Sequence, residues 1–294
     1  MNLPVRRPSF PARMPGGSSA LPVASLPTPS SASGATKLIA ASAYSTLATA
    51  LNSSKKPAAV PVNRLNAAAS AAPSGLGMES GAVRRRMVDN LAKQGISDAA
   101  VLAAMNTIER HRFVDTALVG QAYEDTSLPI GLGQTISKPN VVARMLSLLR
   151  EGRATNEKGK MGRVLEIGTG CGYQAAVLAQ LCTEVYSMER LRGLHDKARE
   201  NLRPFKIAHL HLLLADGMLG YAKGGPYAGI IAAAGGEAIP QAWVDQLAVG
   251  GRVVAPTVMA NGSQALVVLD KTPQGVTHTV LEPVHFVPLK SGVL

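Results

Sequence analysis

Aromatic side chains are scarce in this sequence: Phe, Trp and Tyr together make up 4% of its residues. Cysteine is rarer still, with two residues, Cys171 and Cys182. Two thiols cannot build a disulfide framework, and they form no ligand cluster with histidine, so we expect neither a disulfide-stapled fold nor a metal site. A reducing, cytoplasmic compartment is therefore predicted.

Long apolar runs are also missing, since none reaches the ~18 residues that a membrane span requires. Acidic residues are almost absent from the first part of the chain. Residues 1–86 contain ten Lys or Arg and one acid, Glu79, and carry +9 of the total charge of +11. The remaining 208 residues carry only +2. The high pI therefore describes the N-terminal part and says little about the rest.

The N-terminal 80 residues are rich in Ala, Ser and Pro and show no helical or strand period. We predict that residues 1–80 are a disordered basic extension, because their sparse large apolar side chains cannot offset the entropy of ordering. Two other interpretations stay open, an organelle transit peptide and a weak charge-based contact with nucleic acid. No continuous apolar segment typical of a secretion signal is present, so secretion is not expected. Residues 81–294 are predicted to form one folded domain.

The folded domain is predicted to begin with helices. Met87, Val88 and Leu91 recur at helical spacing, and Ser97 is predicted to be the N-cap of a second helix. A third helix is predicted from about Ser137, with a proline in its first turn. The Gly- and hydroxyl-rich segment before it is interpreted from composition alone as a loop.

Strand and helix patterns alternate after Gly162. The predicted strands are 163–167, 184–188, 209–214, 227–233 and 252–258, and the predicted helices are 172–181, 191–202 and 239–247. This alternation with short connections predicts an α/β fold, a doubly wound, Rossmann-like, mostly parallel sheet. Two later apolar runs, 265–269 and 280–289, have no helix between them and predict an antiparallel strand pair at the end of the sheet.

Three glycines, Gly168, Gly170 and Gly172, follow the first strand of this alternation and lead into a helix. Such a loop approaches a ligand closely at the carboxyl end of a strand. A dinucleotide fingerprint would require a third glycine at position 173, where this sequence has Tyr173. Glu166, at the end of the strand, is predicted to point into the site, where a carboxylate suits a cationic ligand. S-adenosylmethionine carries an ammonium and a sulfonium group, and the pattern therefore favours this cofactor.

Acidic residues follow the next two strands as well. Glu189 lies about twenty residues after the glycines, where an acid accepts hydrogen bonds from ribose hydroxyls. Asp216 and Gly217 follow the third strand, near the expected position of the adenine. Acids at three successive strand ends, together with the glycine loop, predict an adenosyl-cofactor site.

These motifs, taken in order, resemble the protein-L-isoaspartate O-methyltransferases from about residue 83 to the C-terminus. The family pattern L-P-I-G-x-G-Q-T-I-S is specific, because generic methyltransferases lack it. The matching segments are Leu128 to Ser137, Glu166 to Gln174, Tyr186 to Arg190, Asp216-Gly217, Leu247 to Arg252 and Phe286 to Leu289.

The resemblance implies transfer of a methyl group from S-adenosylmethionine to the α-carboxylate of L-isoaspartyl residues in damaged proteins and peptides. The ester then collapses to a succinimide, which begins repair. Ser137 is the implied catalytic residue, orienting the carboxylate through a hydrogen bond, although a plain N-cap role also fits it. Asp125, Thr135 and Ile136 are the implied substrate contacts. We expect a monomer without a membrane or specific nucleic-acid partner.

Several positions depart from the family pattern. Ala228 stands where an Asp is usual, Ala233 where a Thr is usual, and Lys138 where a Gln is common. Two alternatives remain. One is a methyltransferase acting on RNA or a small molecule, with the basic N-terminal segment as a contact for nucleic acid. The other is a non-catalytic cofactor-binding homologue, which Ala228 and Ala233 suggest. The two cysteines are expected to be structural, and His285 is expected to be a packed strand residue.

Overall fold

The structure of the protein is a computed structural model that describes residues 81–294. The predicted extension, 1–80, lies outside the described residues. The described chain begins with the predicted helices, α1 (Gly81–Lys93), α2 (Ala99–Thr107) and α3 (Pro139–Arg150). Met87 and Leu91 are buried on the inner face of α1, as their spacing predicted.

The N-cap of α2 is Asp98, so the assignment of this position to Ser97 was wrong. The Asp98 carboxylate accepts hydrogen bonds from the amides of Ala100 (2.9 Å) and Val101 (3.2 Å). A cap must lie directly before the first helical residue to reach these two amides, and Asp98 occupies that position. Its other carboxylate oxygen accepts from Arg150 Nε at 2.9 Å, which ties α2 to the end of α3.

Helix α3 receives its cap from a distant residue. Lys138 occupies the N-cap position and makes no side-chain capping bond. Instead, Asp125 Oδ1 accepts a hydrogen bond from the Asn140 amide at 2.8 Å. Ser137 is therefore not the N-cap of this helix, and its hydroxyl is not used for capping.

The segment interpreted as a loop before α3 contains a short antiparallel hairpin, β1 (Leu128–Gly131) and β2 (Gln134–Ile136). Three consecutive residues at its turn have positive φ, Gly131 (100°), Leu132 (52°) and Gly133 (70°). Glycine adopts this conformation without steric cost, which explains the two glycines. The hairpin fixes the direction in which the chain enters α3.

The central sheet has seven strands in the order β5-β4-β3-β6-β7-β8-β9. Its strands are β3 (Met161–Ile167), β4 (Cys182–Glu189), β5 (Leu210–Leu214), β6 (Tyr227–Ala232), β7 (Leu247–Val258), β8 (Gln264–Thr272) and β9 (Gly275–Val284). The connecting helices are α4 (Tyr173–Leu181), α5 (Arg192–Leu202) and α6 (Gln241–Gln246). Short 3-10 helices cover Arg110–Phe113, Thr116–Gln121, Arg203–Phe205, Gly217–Leu219 and Ala222–Gly224.

Strands β3 to β7 pair in parallel, and β8 and β9 add an antiparallel pair at the end of the sheet. The predicted doubly wound sheet with its antiparallel addition is confirmed. Two boundaries differ. Strand β7 begins at Leu247 rather than at residue 252, and so includes Gly250 and Gly251. Strand β9 ends at Val284, so the apolar residues after it are not strand.

Buried side chains cover both faces of the sheet. One cluster includes residues of α1 to α5, and a smaller one surrounds Trp243 of α6. The chain leaves β3 in one direction to form β4 and β5 and then returns to form β6 on the other side. A crevice therefore opens at the carboxyl ends of β3 and β6, where ligands bind in open α/β sheets. Within residues 81–294, no helix is long and apolar enough to cross a membrane.

Candidate active site

A cavity of about 480 Å³ opens at this crevice. It falls within the size range typical of sites for small ligands. Four of the predicted cofactor residues line it: Gly168, Gly170, Glu189 and Gly217. Three of the predicted substrate-side residues line it as well: Thr135, Ile136 and Ser137. The structure thus brings the glycine loop and the segment before α3 to one cavity.

The glycine loop is fixed from the neighbouring strand. Gly168 and Thr169 both donate their amides to the Met188 carbonyl, at 2.8 and 3.1 Å. Gly168 has a φ of +91° and Gly170 a φ of +57°, values that glycine adopts readily. The Gly170 amide donates to Glu189 Oε2 at 2.9 Å. The loop backbone is therefore held in place before any ligand arrives.

Glu189 lies at the end of β4, with 5% of its surface exposed. Besides Gly170, its carboxylate accepts the amides of Arg190 (2.9 Å) and Leu191 (3.0 Å) through Oε1. Two carboxylate oxygens offer about four acceptor sites, so one remains for a ligand hydroxyl. This arrangement is compatible with the ribose contact that the sequence predicted.

Glu166 does not point into the cavity, and that expectation was wrong. Its side chain is completely buried and accepts a hydrogen bond from Ser187 Oγ. Ser187 Oγ in turn lies 2.6 Å from the Thr169 hydroxyl, so the carboxyl group supports the glycine loop from behind. Burial raises the pKa of Glu166 to about 8. Near neutral pH this group is therefore largely a neutral acid rather than a partner for a cation.

Gly172 also lies outside the cavity wall. A Cβ at this position would come within 2.8 Å of Leu202 Cδ1 and 3.5 Å of Ala198 Cβ, both in α5. Gly172 has a φ of +93° and immediately precedes α4. Its role in this structure is to let α4 start close against α5, rather than to contact a ligand.

Asp216 does not line the cavity as predicted, and its carboxylate instead accepts two backbone hydrogen bonds. One of its oxygens accepts the Met218 amide at 2.9 Å, and the other accepts the Gly292 amide at 2.7 Å. Only its neighbour Gly217 lines the cavity. Asp216 therefore anchors the end of the chain next to the cavity.

The end of the chain, residues 287–294, forms what we call the C-terminal strap. Gly235 exchanges two backbone hydrogen bonds with its first residues, at 2.8 Å each. The Arg190 carbonyl accepts from the Leu294 amide at 2.8 Å, and the Arg190 guanidinium donates to the Gly292 carbonyl at 3.0 Å. The strap contributes several residues to the cavity wall, a role that its composition did not indicate.

A second cavity of about 500 Å³ adjoins the first and lies between α3 and the segment after β9. The two cavities share four wall residues, Thr135, Ser137, Ala233 and Val287. Ser137 thus stands at the junction between them. A ligand in either cavity would therefore lie beside Ser137.

Asp125 and Arg110 hold the Ser137 segment from two sides. Asp125 lines neither cavity, so the expected substrate contact is corrected to a cap on the Asn140 amide. Arg110 Nη2 donates to the Ser137 carbonyl at 2.8 Å. Arg110 was not predicted as a site residue, because the two carbonyls that it binds lie 12 and 27 residues away in the sequence.

The remaining residues of interest divide between the wall and the core. Ala233 lines both cavities, whereas Ala228 lies on β6 and lines neither. His285 is exposed and lines the second cavity, so its interpretation as a packed strand residue was wrong. Cys171 and Cys182 are buried free thiols, and burial raises the pKa of both, that of Cys182 to about 12.

Comparison with known proteins places this geometry in a family. A family model described as protein-L-isoaspartate(D-aspartate) O-methyltransferase matches residues 82–294. A protein-L-isoaspartate O-methyltransferase of Methylibium petroleiphilum is 60% identical over 222 residues, which cover 75% of this chain and 81% of that protein.

Solved structures agree on the fold. A protein-L-isoaspartate O-methyltransferase structure aligns with a TM-score of 0.63 at 26% identity, over 71% of this chain and 67% of the other. A putative enzyme of the same name from Plasmodium falciparum, solved with S-adenosyl-L-homocysteine, gives a TM-score of 0.59 at 24% identity. It is covered over 98% of its length, and this chain over 70%. From its sequence and its fold, this chain belongs to the protein-L-isoaspartate(D-aspartate) O-methyltransferase family.

Proposed function

We propose that this protein transfers a methyl group from S-adenosylmethionine to the α-carboxylate of L-isoaspartyl residues in damaged proteins and peptides. The observation that carries the proposal is the position of Ser137 at the junction of the two cavities. One cavity carries the glycine loop and Glu189, and the other opens beside the N-terminus of α3. A peptide carboxylate placed at Ser137 would lie next to the cofactor cavity.

The residues of the first cavity fit the cofactor. Glu189 offers an acceptor to ribose hydroxyls, and the positive-φ glycines let the backbone approach closely. S-adenosylmethionine, when bound, supplies an electrophilic methyl group on a sulfonium. We propose Gly168, Gly170, Glu189 and Gly217 as its contacts. Glu166, Gly172 and Asp216 would act through the loop, helix and strap that they hold.

The reaction requires alignment more than acid–base chemistry. An α-carboxylate is already ionised at neutral pH, so no general base is needed. Ser137 Oγ would donate a hydrogen bond to one carboxylate oxygen and aim the other along the line of transfer. The N-terminus of α3 adds a favourable dipole for the anion, although Pro139 has no amide hydrogen and the Asn140 amide already donates to Asp125. The residues shared by both cavity walls would hold the attacking oxygen close to the methyl donor.

The test is a pair of peptides that differ only in an aspartyl or isoaspartyl linkage, each incubated with radiolabelled S-adenosylmethionine. We expect base-labile methyl ester on the isoaspartyl peptide and little on its twin. Equal labelling of both peptides, or label on RNA alone, would contradict the proposal. Binding of the cofactor without any transfer would identify a non-catalytic homologue, to which Ala233 in the shared wall points.

The proposed role of Ser137 predicts that Ser137→Ala lowers kcat. Loss of a hydrogen bond to a charged group costs roughly 1.5–3 kcal/mol, so kcat should fall about ten- to hundredfold. Steady-state kinetics on the isoaspartyl peptide measures it. Ser147→Ala, on the same helix with a buried hydroxyl that has no hydrogen-bond partner, is the control and should keep its rate. Equal rates for both variants would remove Ser137 from the mechanism.

The partner and compartment follow from the same proposal. We propose a monomer that acts on proteins and peptides in the cytoplasm, without a specific nucleic-acid partner. Two free thiols, Cys171 and Cys182, are compatible with a reducing compartment. Light scattering coupled to size exclusion tests the monomer, and a stable dimer at low micromolar concentration would contradict it.

A further inference from the structure

Arg110 is a completely buried arginine, and its hydrogen bonds go to carbonyls rather than to a carboxylate. Its Nε donates to the Ala122 carbonyl and its Nη2 to the Ser137 carbonyl, both at 2.8 Å. A cation removed from water without a contacting counter-ion is unfavourable. Burial accordingly lowers the pKa of Arg110 from its ordinary value. What the charged group offers in this position is a fork of N–H donors that reaches two carbonyls at once.

The guanidinium of Arg110 contacts both sides of the site. Its central carbon lies 4.9 Å from the centre of the Tyr173 ring, a distance typical of cation–π contacts. Tyr173 is the first residue of α4, directly after the glycine loop, and lines the cofactor cavity. Ser137, on the other side, lies at the junction of the two cavities. Arg110 therefore connects the segment that holds the methyl donor with the segment that receives the acceptor.

The surroundings make Arg110 a rigid connector. The neighbouring Phe113 packs edge-on against Tyr173, with centroids 5.6 Å apart, and stacks on Phe205 at 5.5 Å. The planar guanidinium has donors in a fixed fork, so it can hold two carbonyls and face a ring at once. A lysine ammonium could reach one of these carbonyls but could not reproduce the fork.

We propose that Arg110 is a positioning residue that sets the separation between Ser137 and the glycine-loop helix, and thereby the alignment of acceptor and donor. The inference rests on the proposed function, because it assigns Ser137 to the acceptor. Arg110 touches neither cavity, so it acts through the Ser137 backbone and the Tyr173 ring. Small errors in such alignment lower kcat far more than they lower binding.

The experiment compares Arg110→Lys and Arg110→Met with the parent protein. Each is measured for S-adenosylhomocysteine affinity by calorimetry, for kcat and KM on the isoaspartyl peptide, and for melting temperature. We expect kcat to fall in the order parent, Arg110→Lys, Arg110→Met, with roughly a tenfold or larger loss for the lysine variant. Cofactor affinity should stay within about threefold, since Arg110 does not line the cavity.

Arg150→Lys is the matched control, because Arg150 is a largely buried arginine that also ties two elements together, through Asp98. It should lower the melting temperature by a similar amount and leave kcat unchanged. A kcat for Arg110→Lys within twofold of the parent would overturn the proposal. So would an equal kcat loss in Arg150→Lys, because the effect would then reflect general destabilisation.

Hydrogen exchange provides a readout that does not depend on turnover. Amides in 137–142 should exchange faster in Arg110→Lys and stay protected in Arg150→Lys, since only Arg110 holds the Ser137 carbonyl. Unchanged exchange in this segment overturns the inference even if the parent shows no activity. Inactivity of the parent on the isoaspartyl peptide, by contrast, contradicts the proposed function alone.

Discussion

A carboxyl group inside a sheet titrates differently from one in water, and Glu166 is such a group. Burial raises its pKa to about 8, from an ordinary value of 4.5. Between these two values the folded protein keeps a proton that the unfolded chain has lost. Stability from this residue is therefore full at low pH and declines as pH rises towards about 8. This direction is opposite to that of a carboxylate in an ion pair.

We expect Glu166→Gln to remove this decline. The melting temperature of the cofactor-free variant, relative to the parent, should rise steadily between about pH 5 and pH 8. Glu200→Gln, at an exposed position of α5, is the control for replacing a surface carboxylate by an amide. Thermal scans at several pH values decide the matter. A flat difference for Glu166→Gln would show that the group ionises normally.

Glu189 makes a different contribution, since its carboxylate fixes the glycine loop and faces the cavity. Glu189→Ala should weaken S-adenosylhomocysteine binding by roughly 1.5–3 kcal/mol, because a charge-assisted hydrogen bond to the ligand is lost together with the loop's support. Calorimetry measures the change. Glu200→Ala is the control and should bind as the parent does. An unchanged affinity in Glu189→Ala would move the adenosyl site away from β4.

Among the elements, helix α2 shows how closely a cap depends on position. Asp98→Ala should destabilise the protein by about 0.5–2 kcal/mol through the lost cap, with a further loss from the Arg150 contact. Ser97→Ala should stay within about 0.5 kcal/mol. In a domain of this size, each kcal/mol corresponds to about 2–4 °C of melting temperature. Larger destabilisation by Ser97→Ala than by Asp98→Ala would contradict the assigned cap.

Elements whose apolar residues repeat locally were predictable from the sequence. The parallel strands and their helices carry continuous apolar runs between glycines, so their order and type follow from local pattern. The hairpin at 128–136 was not predictable in this way, because each of its strands has three or four residues. Strand β7 includes Gly250 and Gly251 within a bulge, since its pairing with β6 passes from Leu247 directly to Arg252, and glycine in a strand often marks such a bulge.

The sequence predicted at which strand ends the site residues lie, but it did not predict the orientation of their side chains. Gly168 and Glu189 line the cavity, and their positions at the carboxyl ends of β3 and β4 made this predictable. The orientations of Glu166 and Asp216 depended on partners far along the chain, Ser187 and Gly292. Arg110 could not be assigned at all, since its two carbonyl partners lie 12 and 27 residues away.

For the whole molecule, we propose that catalysis resides in 81–294 and that the first 80 residues are dispensable for it. The family match begins at residue 82, and residues 1–86 hold most of the net charge. A protein starting at Gly81 keeps α1 and its buried Met87 and Leu91. It should melt at a similar temperature and show a similar kcat/KM on the isoaspartyl peptide.

The dependence of kcat/KM on salt distinguishes a dispensable N-terminal segment from one that attracts substrate by charge. If the basic segment attracts substrate by charge, its removal should lower kcat/KM at low ionic strength and have little effect at high ionic strength. The measurement is kcat/KM for the full-length and the shortened protein at low and at high ionic strength. A several-fold loss confined to low salt would show that the first 80 residues guide substrate.

The shared wall between the two cavities has a consequence for inhibitor design. A single compound that joins an adenosine group to a peptide-like carboxylate would occupy both spaces at once, passing Thr135 and Ser137 at the junction. Binding of its first half would convert that of the second into an intramolecular event with a high effective concentration. Its affinity could thus exceed that of either half by about 10²–10⁴, without any new contact on the protein.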